Sequence, residues 1–112
     1  MKTPNLYKGT LSTIILKLLK ENSRLYGYEI TRMVKEITNG ELEITEGALY
    51  PLLHRLEKEG CVEVEKVKVG NRERKYYSLT KMGVDSCKEK LKEVEEFMVN
   101  MHRIFGKVKE YA

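Results

Sequence analysis

Eight apolar residues toward the C-terminus, Val84, Cys87, Leu91, Val94, Met98, Met101, Phe105 and Val108, are spaced three and four apart in strict alternation. That is an a/d repeat, and it predicts one long helix over about Lys81–Lys107. Thr80 stands ready to cap it. Phe97 and Ile104 flank the stripe and widen it. A helix of ~26 residues is ~39 Å long, longer than a chain of 112 residues can cover by itself. Part of the stripe must be buried by something else, most simply a second copy of the chain.

Upstream the apolar periods are shorter. Pro4 and Asn5 discourage early helix, so residues 1–7 read as loose. Leu11, Ile14, Ile15, Leu18 and Leu19 form one helical stripe over Thr10–Glu21, which ends at Asn22-Ser23. A second helix is predicted from about Tyr28 to Thr38, with Ile30, Met33, Val34 and Ile37 inward. Gly27 permits a tight connection before it, and Asn39-Gly40 stops it. A third runs from Thr45, an N-cap type, to Glu59, with Leu49, Leu52, Leu53 and Leu56 inward and Gly60 closing it. Pro51 removes a backbone donor inside this helix and should kink it or split off its first turn. Val62, Val64, Val67 and Val69 then alternate as a strand, with a phase slip that suggests a bulge near Glu65-Lys66. Gly70-Asn71 makes the turn, and Arg74 to Leu79 is the return strand. Three helices, a basic-tipped hairpin and a long helix describe a mainly α protein with a small β-hairpin. Residues 1–80 would form a winged helix-turn-helix and residues 81–112 a dimerisation helix, the two making one compact unit.

Composition removes several classes. No run reaches ~18 apolar residues, so no membrane span is expected. The N-terminus lacks the pattern of a signal peptide, and a cytoplasmic location is expected. Two cysteines and two histidines are present, and Cys61, Cys87, His54 and His102 show no metal-ligand spacing, so neither metal nor cofactor is expected. Both cysteines read as small buried hydrophobes, with a redox role for Cys61 as the alternative. Asp85 is the only aspartate. A hydrolase built on His54 or Cys61 would lack a convergent acid, base and nucleophile, so the chain is not expected to be an enzyme.

The formal net charge is +4, and its placement is informative. Residues 66–75 carry Lys66, Lys68, Arg72, Arg74 and Lys75 against Glu73, a surplus equal to that of the whole chain. Five basic and five acidic residues balance over residues 81–105. A positive patch at a hairpin tip suits a polyanion such as duplex DNA. The face of the third helix opposite its leucines carries Gly47, Tyr50, Pro51, His54, Arg55 and Lys58, groups able to reach phosphates and base edges. Thr45 lies beside the helix N-terminus, where a phosphate is favoured. The plainer alternatives are a solvated helix face and basic residues that protect a sheet edge. A winged-helix module that binds protein and not DNA is the rival function.

Four segments carry a resemblance: YKGTLSTIILKLL (7–19), LYGYEI (25–30), EGALYPLLHRLEKEG (46–60) and RKYYSLTKMG (74–83). Through them the chain resembles the PadR family of transcriptional regulators over nearly its whole length, in its short form with a single C-terminal helix. The resemblance implies a homodimer that binds a pseudo-palindromic operator and usually represses, in some members until a small apolar or aromatic effector enters at the dimer interface. It implies DNA contacts by Thr45, Tyr50, His54, Arg55 and Lys58 in the recognition helix and by Arg72, Arg74 and Lys75 in the wing, with Tyr28 touching the backbone. It implies that the C-terminal helix packs on the partner's first helix. Leu11, Ile15, Leu91, Val94, Phe97, Met98, Met101, Ile104 and Phe105 are the expected interface. The chain has no tryptophan, so an indole stacking site for an effector is missing.

Overall fold

The computed structural model describes residues 5–106. Its elements are α1 (Asn5–Lys8), α2 (Leu11–Glu21), β1 (Leu25–Tyr26), α3 (Gly27–Ile37), α4 (Glu46–Lys58), β2 (Val62–Val69), β3 (Arg72–Leu79) and α5 (Lys81–Phe105). The last predicted residue of the a/d repeat, Val108, lies outside the described residues.

The core follows from the apolar periods. Ile15, Leu16, Ile30, Leu49, Leu53, Leu56 and Cys87 are fully buried, and they come from α2, α3, α4 and α5. Leu42 and Ile44 join them from the α3–α4 connection. That connection is pinned by Thr38, whose hydroxyl accepts from the Leu42 amide (3.0 Å), and Asn39 ends the helix at φ 52°. Two side chains cap as their sequence positions predict. The Thr45 hydroxyl accepts from the Ala48 amide (3.2 Å), and the Thr80 hydroxyl accepts from the Gly83 amide (3.1 Å).

The sheet has the order β1-β3-β2, all antiparallel. Its inner face, with Leu25, Val62 and Tyr77, closes the core. Burial pushes the Tyr77 phenol above its ordinary pKa, with further contributions from Tyr50 and Glu57.

Five sequence expectations need correction. The expected bulge is absent: the β2–β3 ladder is continuous from Val62↔Leu79 to Val69↔Arg72. Val64 packs against the core, whereas Val67 lies on the opposite face of the ladder and serves strand propensity rather than the core. With Gly70 at φ 61° and no positive φ at Asn71, the two-residue turn follows the II′ pattern. The first turn of α4 is not split off at Pro51: the helix is continuous from Glu46 to Lys58, because a proline near the start of a helix forfeits a single bond, that to the Gly47 carbonyl. Residues 5–8 form a helical turn and are not loose, which a preceding proline permits. Ile37 is 67% exposed and not inward. Leu11 and Ile15 are already buried in the protomer's own core, 4% and 0% exposed, so they are not surface left for a partner. α2 is the central helix, packed on both α5 and β3, and a central helix buries more than one stripe.

Candidate nucleic-acid interface

α4 turns its leucines inward and leaves Gly47, Tyr50, Pro51, His54, Arg55 and Lys58 exposed, together with Thr45 at its N-cap. Every residue that the sequence placed on this outer face is therefore accessible. The helix has Glu46 in its first turn and Arg55 and Lys58 in its last, the arrangement its dipole favours.

The hairpin β2–β3 is the wing. Arg72 and Lys75 are exposed and Arg74 is half-buried. Lys66 faces Glu73 at 3.9 Å with both side chains largely exposed, a contact that contributes little in water. Between wing and α4 lies a cleft of about 420 Å³, lined by Tyr26, Gly27, Tyr50, Val69, Arg72, Glu73, Arg74, Lys75 and Tyr77. It unites Tyr50 of the helix with all three wing cations singled out from sequence. Thr45, His54, Arg55 and Lys58 lie on α4 outside it. Tyr50 lies over the Gly27 backbone so closely that a Cβ at that position would overlap its ring. This explains the glycine at the start of α3: it seats Tyr50 between the two helices.

The outer face of the sheet holds an arrangement the sequence did not reveal. Tyr26 and Tyr76, paired across β1 and β3, meet edge to face at 5.4 Å, and Tyr28 stacks on Tyr26 at 6.4 Å. Arg74 lies 4.1 Å over the Tyr26 ring, Arg24 lies 4.1 Å over Tyr76, and Arg32 lies 5.9 Å from Tyr28. Arg24 also pairs with Glu65. Tyr28, expected beside the DNA backbone, is exposed.

A second surface is apolar. Ile14 and Leu18 of α2, Val34 and Ile37 of α3, Leu42, and Leu91 and Val94 of α5 line a groove of about 450 Å³. Beyond it α5 continues with Phe97, Met98, Val99, Ile104 and Phe105 exposed and Met101 half-buried. Among the described residues no cluster of side chains could hold a metal ion, and no helix is long and apolar enough to cross a membrane. Both cysteines are buried, and burial raises the pKa of Cys87.

Comparisons with known proteins fit this geometry. The sequence pattern of the PadR-like transcriptional regulator family matches residues 15–89. The chain is 37% identical over 97 residues to the uncharacterized protein X of Lysinibacillus sphaericus, covering 86% of this chain and 88% of that one. A transcriptional regulator from Clostridium thermocellum superposes with a TM-score of 0.78 at 32% identity, over 95% of this chain and 100% of the other. A PadR-like transcription factor from Bacteroides fragilis superposes with a TM-score of 0.72, also at 32% identity, over 88% and 93% of the two chains.

Proposed function

Because the chain belongs to the PadR-like family of transcriptional regulators, we propose that two copies form a cytoplasmic repressor that binds a pseudo-palindromic operator. Members of the family are regulators and not enzymes. The observation that carries the DNA-binding reading is the shared cleft, where Tyr50 of α4 lies with Arg72, Arg74 and Lys75 of the wing. The exposed row of α4 then enters a major groove, and the wing grips flanking phosphates.

Dimerisation rests on two faces of one chain. The distal part of α5 exposes Met98, Ile104 and Phe105, and the groove between α2, α3 and α5 is open and apolar. Each copy's distal helix fills the other's groove, which closes both contacts about one two-fold axis. On α2 the partner meets Ile14, in place of Leu11 and Ile15. A small apolar or aromatic effector in this groove would compete with the partner's helix and release the operator.

Selecting bound fragments from genomic DNA and sequencing them tests the reading, with recovery of an inverted repeat as the expected result. Its half-sites should lie about 10 base pairs apart, or a multiple of that. Failure to retain any duplex at low salt would leave the rival protein-binding module. Arg72→Ala should weaken binding to operator and random DNA alike and reduce the salt slope by about one. Tyr50→Phe removes the hydroxyl but keeps the ring on Gly27. It should lower the preference for operator over random duplex by about 1 kcal/mol if that hydroxyl reads a base edge.

A further inference from the structure

Arg74 and Arg24 occupy similar positions on the outer sheet face, each 4.1 Å over a tyrosine ring. Their charges are engaged differently. Arg24 is paired with Glu65, whereas among the described residues no carboxylate forms an ion pair with Arg74. Besides its place over the Tyr26 ring, Arg74 donates a long hydrogen bond to the Tyr76 hydroxyl, at 3.5 Å. Glu29, the acid near it, accepts a hydrogen bond from the Tyr26 amide (3.1 Å). The Tyr26 ring is itself held on two sides, by the edge of Tyr76 and by Tyr28.

With its Cζ held 4.1 Å over the Tyr26 ring and Nη1 turned to the Tyr76 hydroxyl, the Arg74 guanidinium has its remaining N–H donors left to offer a phosphate. An arginine on an exposed strand otherwise samples many rotamers, and fixing them opposes binding. The cation is permanent at any working pH, and its hydrogen bond to the Tyr76 hydroxyl raises its pKa further. We propose that Tyr26 and Tyr76 are positioning residues that hold the Arg74 guanidinium ready for a DNA phosphate, so that the grip of the wing depends on a ring at the entry to α3. The proposal rests on the DNA-binding reading and adds to it that the wing and the helix-turn-helix are coupled. Tyr26 itself touches no base.

The experiment combines a double-mutant cycle on duplex binding with side-chain NMR of the free protein. Arg74→Ala should weaken binding about tenfold and reduce the salt slope by about one. Tyr26→Leu should weaken it about fivefold, Tyr26→Phe less than about twofold because the ring face remains, and Tyr26→Leu with Arg74→Ala no more than Arg74→Ala alone. In the free protein the Arg74 Nε–H order parameter should exceed about 0.8 in the wild type and in Tyr26→Phe, and fall below about 0.6 in Tyr26→Leu. Arg74→Lys, which leaves every ring in place, should lose most of the grip, since an ammonium is a point charge without a stacking plane. Additive losses in the double variant, or wild-type binding by Arg74→Lys, would overturn the proposal and leave the DNA-binding reading intact. A wild-type chain that binds no duplex would overturn both, whatever the order parameters.

Discussion

Met98→Glu combined with Phe105→Glu yields a folded monomer that holds the operator at least about 100-fold more weakly than the wild type. Both side chains are exposed on the single chain, 62% and 80%, so a carboxylate at either position meets water and leaves the protomer's core unchanged. In the proposed dimer the same positions would continue the Leu91–Val94 stripe into the partner's groove, where a charge buried without a partner is strongly unfavourable. Loss of the pair removes the second half-site contact, whose effective concentration contributes about 10²–10⁴ to affinity. Sedimentation should give a species near 13.1 kDa in place of twice that mass, with unchanged helix content. Lys92→Glu, exposed on the side of α5 away from Phe97, Met98, Ile104 and Phe105, should leave the dimer intact. A double variant that still sediments as a pair at micromolar concentration would remove α5 as the seam. A monomer with wild-type operator affinity would remove the need for two half-sites.

The long helix α5 was legible in the sequence because its information is local. A three-four repeat needs no knowledge of the rest of the chain, and α5 follows it from Lys81. The caps Thr45 and Thr80 were legible for the same reason, since their partners lie three residues on. Periodicity does not say which element covers a stripe. Leu11 and Ile15 belong to a correct helical pattern, yet they are already buried in the core of the single chain. Pattern failed differently at Val67, where a β-branched residue fills a solvated strand and imitates a core position. The outward row of α4 was read correctly because it is the complement of four leucines. The Arg74–Tyr26–Tyr76 arrangement was not, because it joins residues 50 positions apart through the two-residue strand β1. A strand that short has no period to detect, and its existence is decided by the edge of β3 that receives it.

Gly83→Ala is expected to destabilise the fold by about 3 kcal/mol, the upper end for adding one methyl to a packed site. On helix propensity alone the change should stabilise by about 1 kcal/mol, since α5 is helical at this position and alanine is the better former. Packing reverses the sign. A Cβ on Gly83 would run into the Cys61 carbonyl and lie 3.1 Å from a methyl of Leu79. The carbonyl cannot step aside, because it accepts a hydrogen bond from the Thr80 amide at 3.1 Å, while the Thr80 hydroxyl donates to the Gly60 carbonyl. The same hydroxyl caps α5 through the Gly83 amide. Thr80 and Gly83 thus form one joint that fixes the start of the long helix against the end of α4, and in the proposed dimer it would set the spacing of the two DNA-reading surfaces. That is the physical content of the Leu-Thr-x-x-Gly sequence at 79–83: a residue to bury, a hydroxyl to cap and tie, and a position with room for no side chain. Thermal unfolding at fixed protein concentration should show the midpoint falling by more than about 10 °C. Gly9→Ala, where the added methyl meets nothing within 4 Å, should change stability by less than about 0.5 kcal/mol. If the two variants melt together, the α4–α5 joint is soft, and the separation of the reading helices must be set by the α5 seam alone.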